Sequence, residues 1–195
     1  DFIAAARSLE PTPDVGRSAP QPSDELWGEP HDLRFDFERT AGGAEWIDEL
    51  ARDARSVLDE APRLDVVAHL DWRVENLGFV DGALAAIYDW DSVGLAPEAV
   101  AVGQAAAQFS TDWTIGASSL PTVSEMRAFA RSYEVHRGRR FDDDERRALD
   151  AANLMLCAYC ARCEHSDRVL YPETVGGTAG GWARLLRERS RVELG

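Results

Sequence analysis

A chain of 195 residues carries 35 acidic side chains against 21 basic ones, for a net charge of −14. That balance excludes nucleic-acid binding through a basic surface, which needs clustered Arg or Lys to neutralise phosphates. Every basic residue is Arg, so neither a phosphate-loop Lys nor a kinase-type strand Lys can come from this chain.

The length suffices to bury a core in one domain of ordinary size. No apolar run approaches the span of a bilayer and no charged-then-apolar leader opens the chain, so the expectation is a cytoplasmic protein with no membrane partner.

Residues 1–43 read as the tail of a helix, Phe2 to Leu9, followed by a surface connection. Pro, Ser, Gly and Asp dominate Glu10 to Pro30, with Leu26 and Trp27 as its anchors. Residues 44–195 read as one helical lobe. Trp46, Ile47, Leu50, Ala54, Val57 and Leu58 recur at helical spacing, which predicts a helix to about Glu60, stopped by Pro62. Asp65 to Ala68 is a short strand, and Leu77 to Val80 and Ala83 to Tyr88 flank Asp81-Gly82, a two-residue hairpin signal. Pro97 suits the first turn of a helix running to about Phe109. A loop with Trp113 and Pro121 follows, and Thr122-Val123-Ser124-Glu125 is a capping box for a helix ended by Gly138. Asp142 to Asp144 place negative charge at the start of a long helix through His165, where the macrodipole favours it. Gly176 to Gly181 is a turn before a last Arg-rich helix, Gly181 to Val192. The fold class expected is α+β, mainly α-helical, with a small β element.

Cys157, Cys160 and Cys163 stand at C-x₂-C-x₂-C, with His165 just beyond. The spacing could belong to an iron–sulfur or zinc site, but no fourth Cys follows. Residues three apart on a helix also share a buried face, and the structural reading is preferred.

The chemistry concentrates in Val66 to Gly94. An apolar run ends in His69-Leu70-Asp71, Asn76 follows five residues later, and a second apolar run beyond the hairpin ends in Asp89-Trp90-Asp91. Strand, loop and hairpin together bring Asp71, Asn76 and Asp89 to one edge of a small sheet, a cluster suited to a divalent metal and a phosphate-bearing substrate. His69-x-Asp71-x-x-x-x-Asn76 and Tyr88-Asp89-Trp90 resemble the catalytic and metal loops of the aminoglycoside phosphotransferase and choline kinase branch of the protein-kinase-like superfamily.

The resemblance implies the C-terminal lobe of a kinase-like fold and a small-molecule kinase using ATP or GTP with Mg²⁺. Asp71 would orient the acceptor hydroxyl and take its proton, Arg73 would pair with the transferred phosphate, and Asn76 and Asp89 would hold the metal and the nucleotide phosphates. His69 would brace the loop. Substrates in this family are set by the later helices, where Glu125, Glu134 and Glu164 would face a small hydroxyl compound such as an aminoglycoside or another cation, or merely solvent. The family also carries an N-terminal β-rich lobe with a phosphate-gripping Lys, so the chain is expected to be a C-terminal lobe, inactive alone. Related sequences have an Asp in the helix after Gly-x-Pro that braces the catalytic loop. The corresponding position falls near Val100, with Glu98 the nearby acid, which puts that anchor in doubt. Asp91 is read as the start of a turn.

Two rival readings stand beside this one. Ala86 to Val93 also resembles the nucleophile strand of haloacid dehalogenase-like phosphatases, with Asp89 phosphorylated and Asp91 as acid/base. That fold needs a doubly wound sheet, which the helical sequence after Gly94 does not supply. The other rival is a pseudokinase-like binding module without catalysis.

Overall fold

The computed structural model describes residues 25–62, 65–112, 120–173 and 181–194. The expected helix tail at Phe2 to Leu9, the Trp113 loop and most of the Gly176 to Gly181 turn lie outside them. The described chain is α+β and mostly helical, with two small antiparallel sheets. Among the described residues no helix is long and apolar enough to cross a membrane.

Helix α1, Glu45–Glu60, buries Ile47, Ala51 and Ala54, the i, i+4, i+7 stripe of an amphipathic helix. Strand β1, Asp65–His69, leads into the acidic loop, and a 3₁₀ turn at Val74–Asn76 delivers the chain to β2, Leu77–Val80. Asp81 and Gly82 take positive φ, 50° and 78°, the paired left-handed residues of a tight hairpin, and β3, Ala83–Ile87, returns beside β2. A second 3₁₀ turn at Trp90–Ser92 then feeds β4, Val93–Pro97, a strand that the sequence pattern did not signal. It runs antiparallel to β1, with His69 opposite Val93 and Asp65 opposite Pro97. The β element is therefore two separate ribbons rather than one small sheet.

Helix α2, Glu98–Gln108, starts directly after Pro97. Helix α3, Val123–Arg137, opens on the expected capping box, with the Thr122 hydroxyl accepting from the Glu125 N–H, and closes on Gly138 at φ 79°. Helix α4, Asp143–Leu170, is an uninterrupted 28-residue rod capped reciprocally by Asp142 and Glu145. Helix α5, Gly181–Arg189, is shorter than the sequence suggested.

The core forms where α1, α2 and α5 pack on α4, and small side chains set how closely they approach. A Cβ added at Gly103 of α2 would lie 2.2 Å from the Leu149 carbonyl oxygen of α4. Beside that crossing, the Asn153 amide donates to the Gly103 carbonyl at 3.1 Å and its oxygen accepts from Arg189 Nε at 2.8 Å, tying α2, α4 and α5 together. All three Cys are buried on α4. Burial pushes the Cys157 and Cys163 thiols up to about 12 and the Cys160 thiol up as well, so they pack as small apolar residues. Among the described residues no three His, Cys, Asp or Glu side chains converge on a metal position.

Residues 25–43 form a strap across α4. Trp27 and Phe37 pack edge-on at 5.9 Å, Phe37 and Tyr159 at 5.9 Å, and Trp27 Nε1 donates to Asp48 at 2.8 Å. The buried Arg162 of α4 donates to Thr40 Oγ1 at 3.0 Å and to the Phe37 carbonyl, so Leu26 and Trp27 anchor a segment held along much of its length.

Candidate active site

The loop after β1 is held from three sides. His69 is buried at the end of β1, with Nε2 at 2.8 Å from the Tyr88 carbonyl, joining the two acidic loops as a brace. The Leu70 N–H donates to the Ser92 carbonyl at 2.9 Å, continuing the β1–β4 pairing. From the far end of α2, the Gln108 amide donates to the Leu70 carbonyl at 3.3 Å, and the Val74 N–H donates to the Phe109 carbonyl at 2.9 Å. The anchor doubted at Val100 is thus supplied by the C-terminal end of α2. Val100 itself packs on the core, and Glu98 turns toward α3, accepting from the Tyr133 hydroxyl and Arg137.

Within the loop, Asp71 Oδ2 accepts from Arg73 Nε at 2.8 Å and from the Asn76 amide at 3.0 Å, and the same amide donates to the Asp71 carbonyl at 2.8 Å. Arg73 also reaches Glu75 at 3.2 Å. The Asn76 carbonyl accepts from the Tyr88 N–H at 2.9 Å, so the loop and the end of the hairpin close on each other.

Asp89 sits at that closure in the left-handed conformation, φ 62° and ψ 48°, which is uncommon for a residue with a side chain. The Ser92 hydroxyl donates to its Oδ2 at 2.8 Å and holds its carboxyl below the usual carboxylate range, with neighbouring Asp91, Asp71 and His69 adding to the effect against partial burial. Asp91 lies in the exposed 3₁₀ turn that follows. Asp71, Arg73, Asn76 and Asp89 are therefore gathered in one place. Ser92, which holds Asp89, and Gln108, which holds the loop through the Leu70 carbonyl, escaped the sequence reading because the first contact depends on the turn at Asp89 and the second on α2 being in position.

The strand before Asp89 is the second arm of an antiparallel hairpin, not a strand of a parallel sheet. That disfavours the phosphatase reading, whose nucleophile sits at the end of a central parallel strand.

A cavity of about 700 Å³ opens beside Asp71 and Arg73, walled by Phe35 of the strap, Leu156 and Tyr159 of α4 and Trp182 of α5. The three carboxylates offered either to a substrate cation or to solvent accept hydrogen bonds within the protein. Glu125 completes its capping box, Glu134 accepts from the Phe141 N–H at 2.8 Å, and Glu164 accepts from the Gly181 and Ala183 N–H groups at 2.9 and 3.1 Å.

No family model matches this chain, and no curated protein matches it. The candidate site therefore rests on its own geometry.

Proposed function

We propose that this chain carries the catalytic and metal loops of a kinase-like phosphotransferase, which passes the γ-phosphoryl group of ATP or GTP to a hydroxyl of a small molecule. The supporting observation is that Asp71 belongs both to the cluster with Asn76 and Asp89 and to the wall of the cavity. An acceptor in that cavity would meet the carboxylate that neighbours the phosphate-binding side.

The donor set is oxygen-only: the carboxylate of Asp89, kept ionised by Ser92, and the amide oxygen of Asn76, whose nitrogen is committed to Asp71. That set fits Mg²⁺, which takes one or two protein oxygens and completes its shell with water and nucleotide phosphates. Bound there, Mg²⁺ would neutralise charge on the transferring phosphates. Arg73 and Asn76 fix one oxygen of Asp71, leaving the other to accept the acceptor's hydroxyl hydrogen bond and then its proton as the new oxygen–phosphorus bond forms and the bond from the γ-phosphorus to the β,γ-bridging oxygen breaks, releasing the nucleoside diphosphate. Arg73, already 2.8 Å from Asp71, is the guanidinium an incoming phosphate would compete for. The Lys that grips the phosphates in such enzymes has to come from residues outside this sequence. A nucleotide donor implies action in the cytoplasm.

The rival binding-module reading draws on the same Arg73–Asp71 ion pair, which engages the proposed base. The test is phosphoryl transfer by the full-length protein, with Mg²⁺-ATP and Mg²⁺-GTP as donors and a panel of hydroxyl compounds as acceptors. Transfer is expected, and Asp71→Ala should lower its rate about a hundredfold or more while leaving the melting temperature nearly unchanged. Nucleotide binding without transfer would favour the binding module, and full turnover in the Asp71 variant would sink the mechanism.

A further inference from the structure

We propose that residues 28–36 form a lid over the cavity beside Asp71, hinged where Trp27 meets Phe37 and latched by Arg34 on Asp167. The lid depends on its own contacts and holds whatever the cavity binds, with or without phosphoryl transfer.

The two ends of the segment are fixed together. Trp27 and Phe37 meet edge-on at 5.9 Å, Trp27 donates to Asp48 of α1, and the Phe37 carbonyl accepts from the buried Arg162 of α4. A chain that leaves and returns at one packed point is an Ω-loop, whose middle can move while its ends stay in place. The middle here is exposed at Gly28, Glu29 and His31 to Arg34, with Leu33 at 92 %. It also carries its own turn. The Phe35 N–H donates to the Asp32 carbonyl at 3.1 Å, and the Arg34 N–H donates to Asp32 Oδ1 at 2.9 Å. Those bonds travel with the turn, so opening breaks neither of them.

Among the described residues, two side chains of α4 hydrogen-bond to that turn. Asp167 takes the Arg34 guanidinium on both oxygens, with Nε at 2.8 Å from Oδ1. The Tyr159 hydroxyl lies 2.8 Å from His31 Nδ1 and accepts from the His31 N–H at 3.1 Å. The Arg34 side chain is half exposed, and ion pairs in contact with water contribute little and weaken in salt. From Asp36 onward the chain is held differently. The Asp36 N–H donates to Ser166, Thr40 accepts from the buried Arg162, and the Gly42 carbonyl meets His165. Local stability therefore falls from the hinge to the tip, the pattern of an element that opens while the rest stays folded. His31, Asp32, Arg34 and Phe35 all line the cavity, as does Asp167. Lifting the turn uncovers the cavity to a ligand and frees the Asp167 carboxylate, and lowering it shields the Asp71 side from water.

The thiols of α4 supply a readout. Cys160 and Cys163 line the cavity, whereas Cys157 is buried elsewhere on the same helix, so they report lid opening and it reports global unfolding. The experiment is timed alkylation of the folded protein with N-ethylmaleimide, each cysteine followed by peptide mass spectrometry. Cys160 and Cys163 should react faster than Cys157. Arg34→Gln should accelerate both about three- to tenfold and leave Cys157 unchanged. Added salt should accelerate them more in the parent protein than in the variant. The intrinsic chemistry runs against this result, because removing Arg34 takes away a positive charge that favours the reactive Cys163 thiolate, so faster reaction there reports access. The inference is overturned by equal rates for all three thiols in the parent protein, by unchanged Cys160 and Cys163 rates in the variant, or by a salt response that is the same in both. Acceleration of Cys157 together with the other two would mean unfolding rather than lid opening and would overturn it as well.

Discussion

The sharpest local feature of the site is a charged residue in a conformation that side chains avoid. Asp89 holds φ 62° between β3 and the 3₁₀ turn that follows, and the Ser92 hydroxyl and the His69–Tyr88 bond keep it there. Asn tolerates the left-handed region, so Asp89→Asn removes the charge without adding backbone strain, whereas Asp89→Ala changes both. A second residue-scale prediction concerns stability. Glu145 accepts two bonds at 2.6 Å from the Arg139 guanidinium, which hold its carboxyl at about 2 against an ordinary 4.5. Because the folded value is the lower one, Glu145 contributes its full stabilisation above about 4.5, and the contribution fades as pH falls toward about 2. Glu145→Gln should cost about 2–4 kcal/mol at pH 7 and flatten the stability curve across that acid window, measured by denaturant titration at several pH values. An equal loss at all pH values would show that packing rather than charge is responsible. At this scale Asp71, Asn76 and Asp89 were legible because their spacing is local. Arg34 was not, since nothing in its neighbourhood in the sequence marks a carboxylate that meets it only after folding.

Among the elements, the helices were legible and one strand was not. The capping box at Thr122, the acidic run Asp142 to Asp144 before α4, Pro62 after α1 and Gly138 after α3 are local signals, and these helix ends fall where they stand. Strand β4 buries Gly94 and Ala96, whose small side chains give almost no alternation signal, and it exists through its pairing with β1. That pairing brings Ser92 to the Leu70 N–H and so ties the two acidic loops together. The close crossing of α2 on α4 makes its own prediction. In an open helix Gly103→Ala would gain about 1 kcal/mol from propensity. Here the added carbon would meet the Leu149 carbonyl oxygen at 2.2 Å, so overpacking wins. We expect a loss of about 2–3 kcal/mol by chemical denaturation. A variant as stable as the parent would mean that α2 can back away from α4.

For the whole molecule, the expectation of a mainly helical lobe with a small β element agrees with the architecture, while the kinase-like assignment remains our proposal. The strap over 25–43 shows why composition alone undersells a segment. Its Pro, Gly and charged residues read as a surface connection, yet Arg34, Phe37 and Thr40 find their partners on α4 more than 120 residues away, and Arg34 and Phe35 wall the cavity. The same distance hid the occupation of Glu164, whose N–H partners belong to a helix that follows it in the chain. The central claim is that Asp71, Asn76 and Asp89 form a metal-dependent phosphate site, and it can be tested before any substrate is known. Mn²⁺, a paramagnetic stand-in for Mg²⁺, should be titrated into isotope-labelled protein while backbone amide signals are followed. The account predicts broadening centred on Asp71, Asn76 and Asp89 that Asp89→Asn abolishes. Broadening centred on the acidic start of α4 at Asp142 to Asp144, or unchanged by Asp89→Asn, would contradict it.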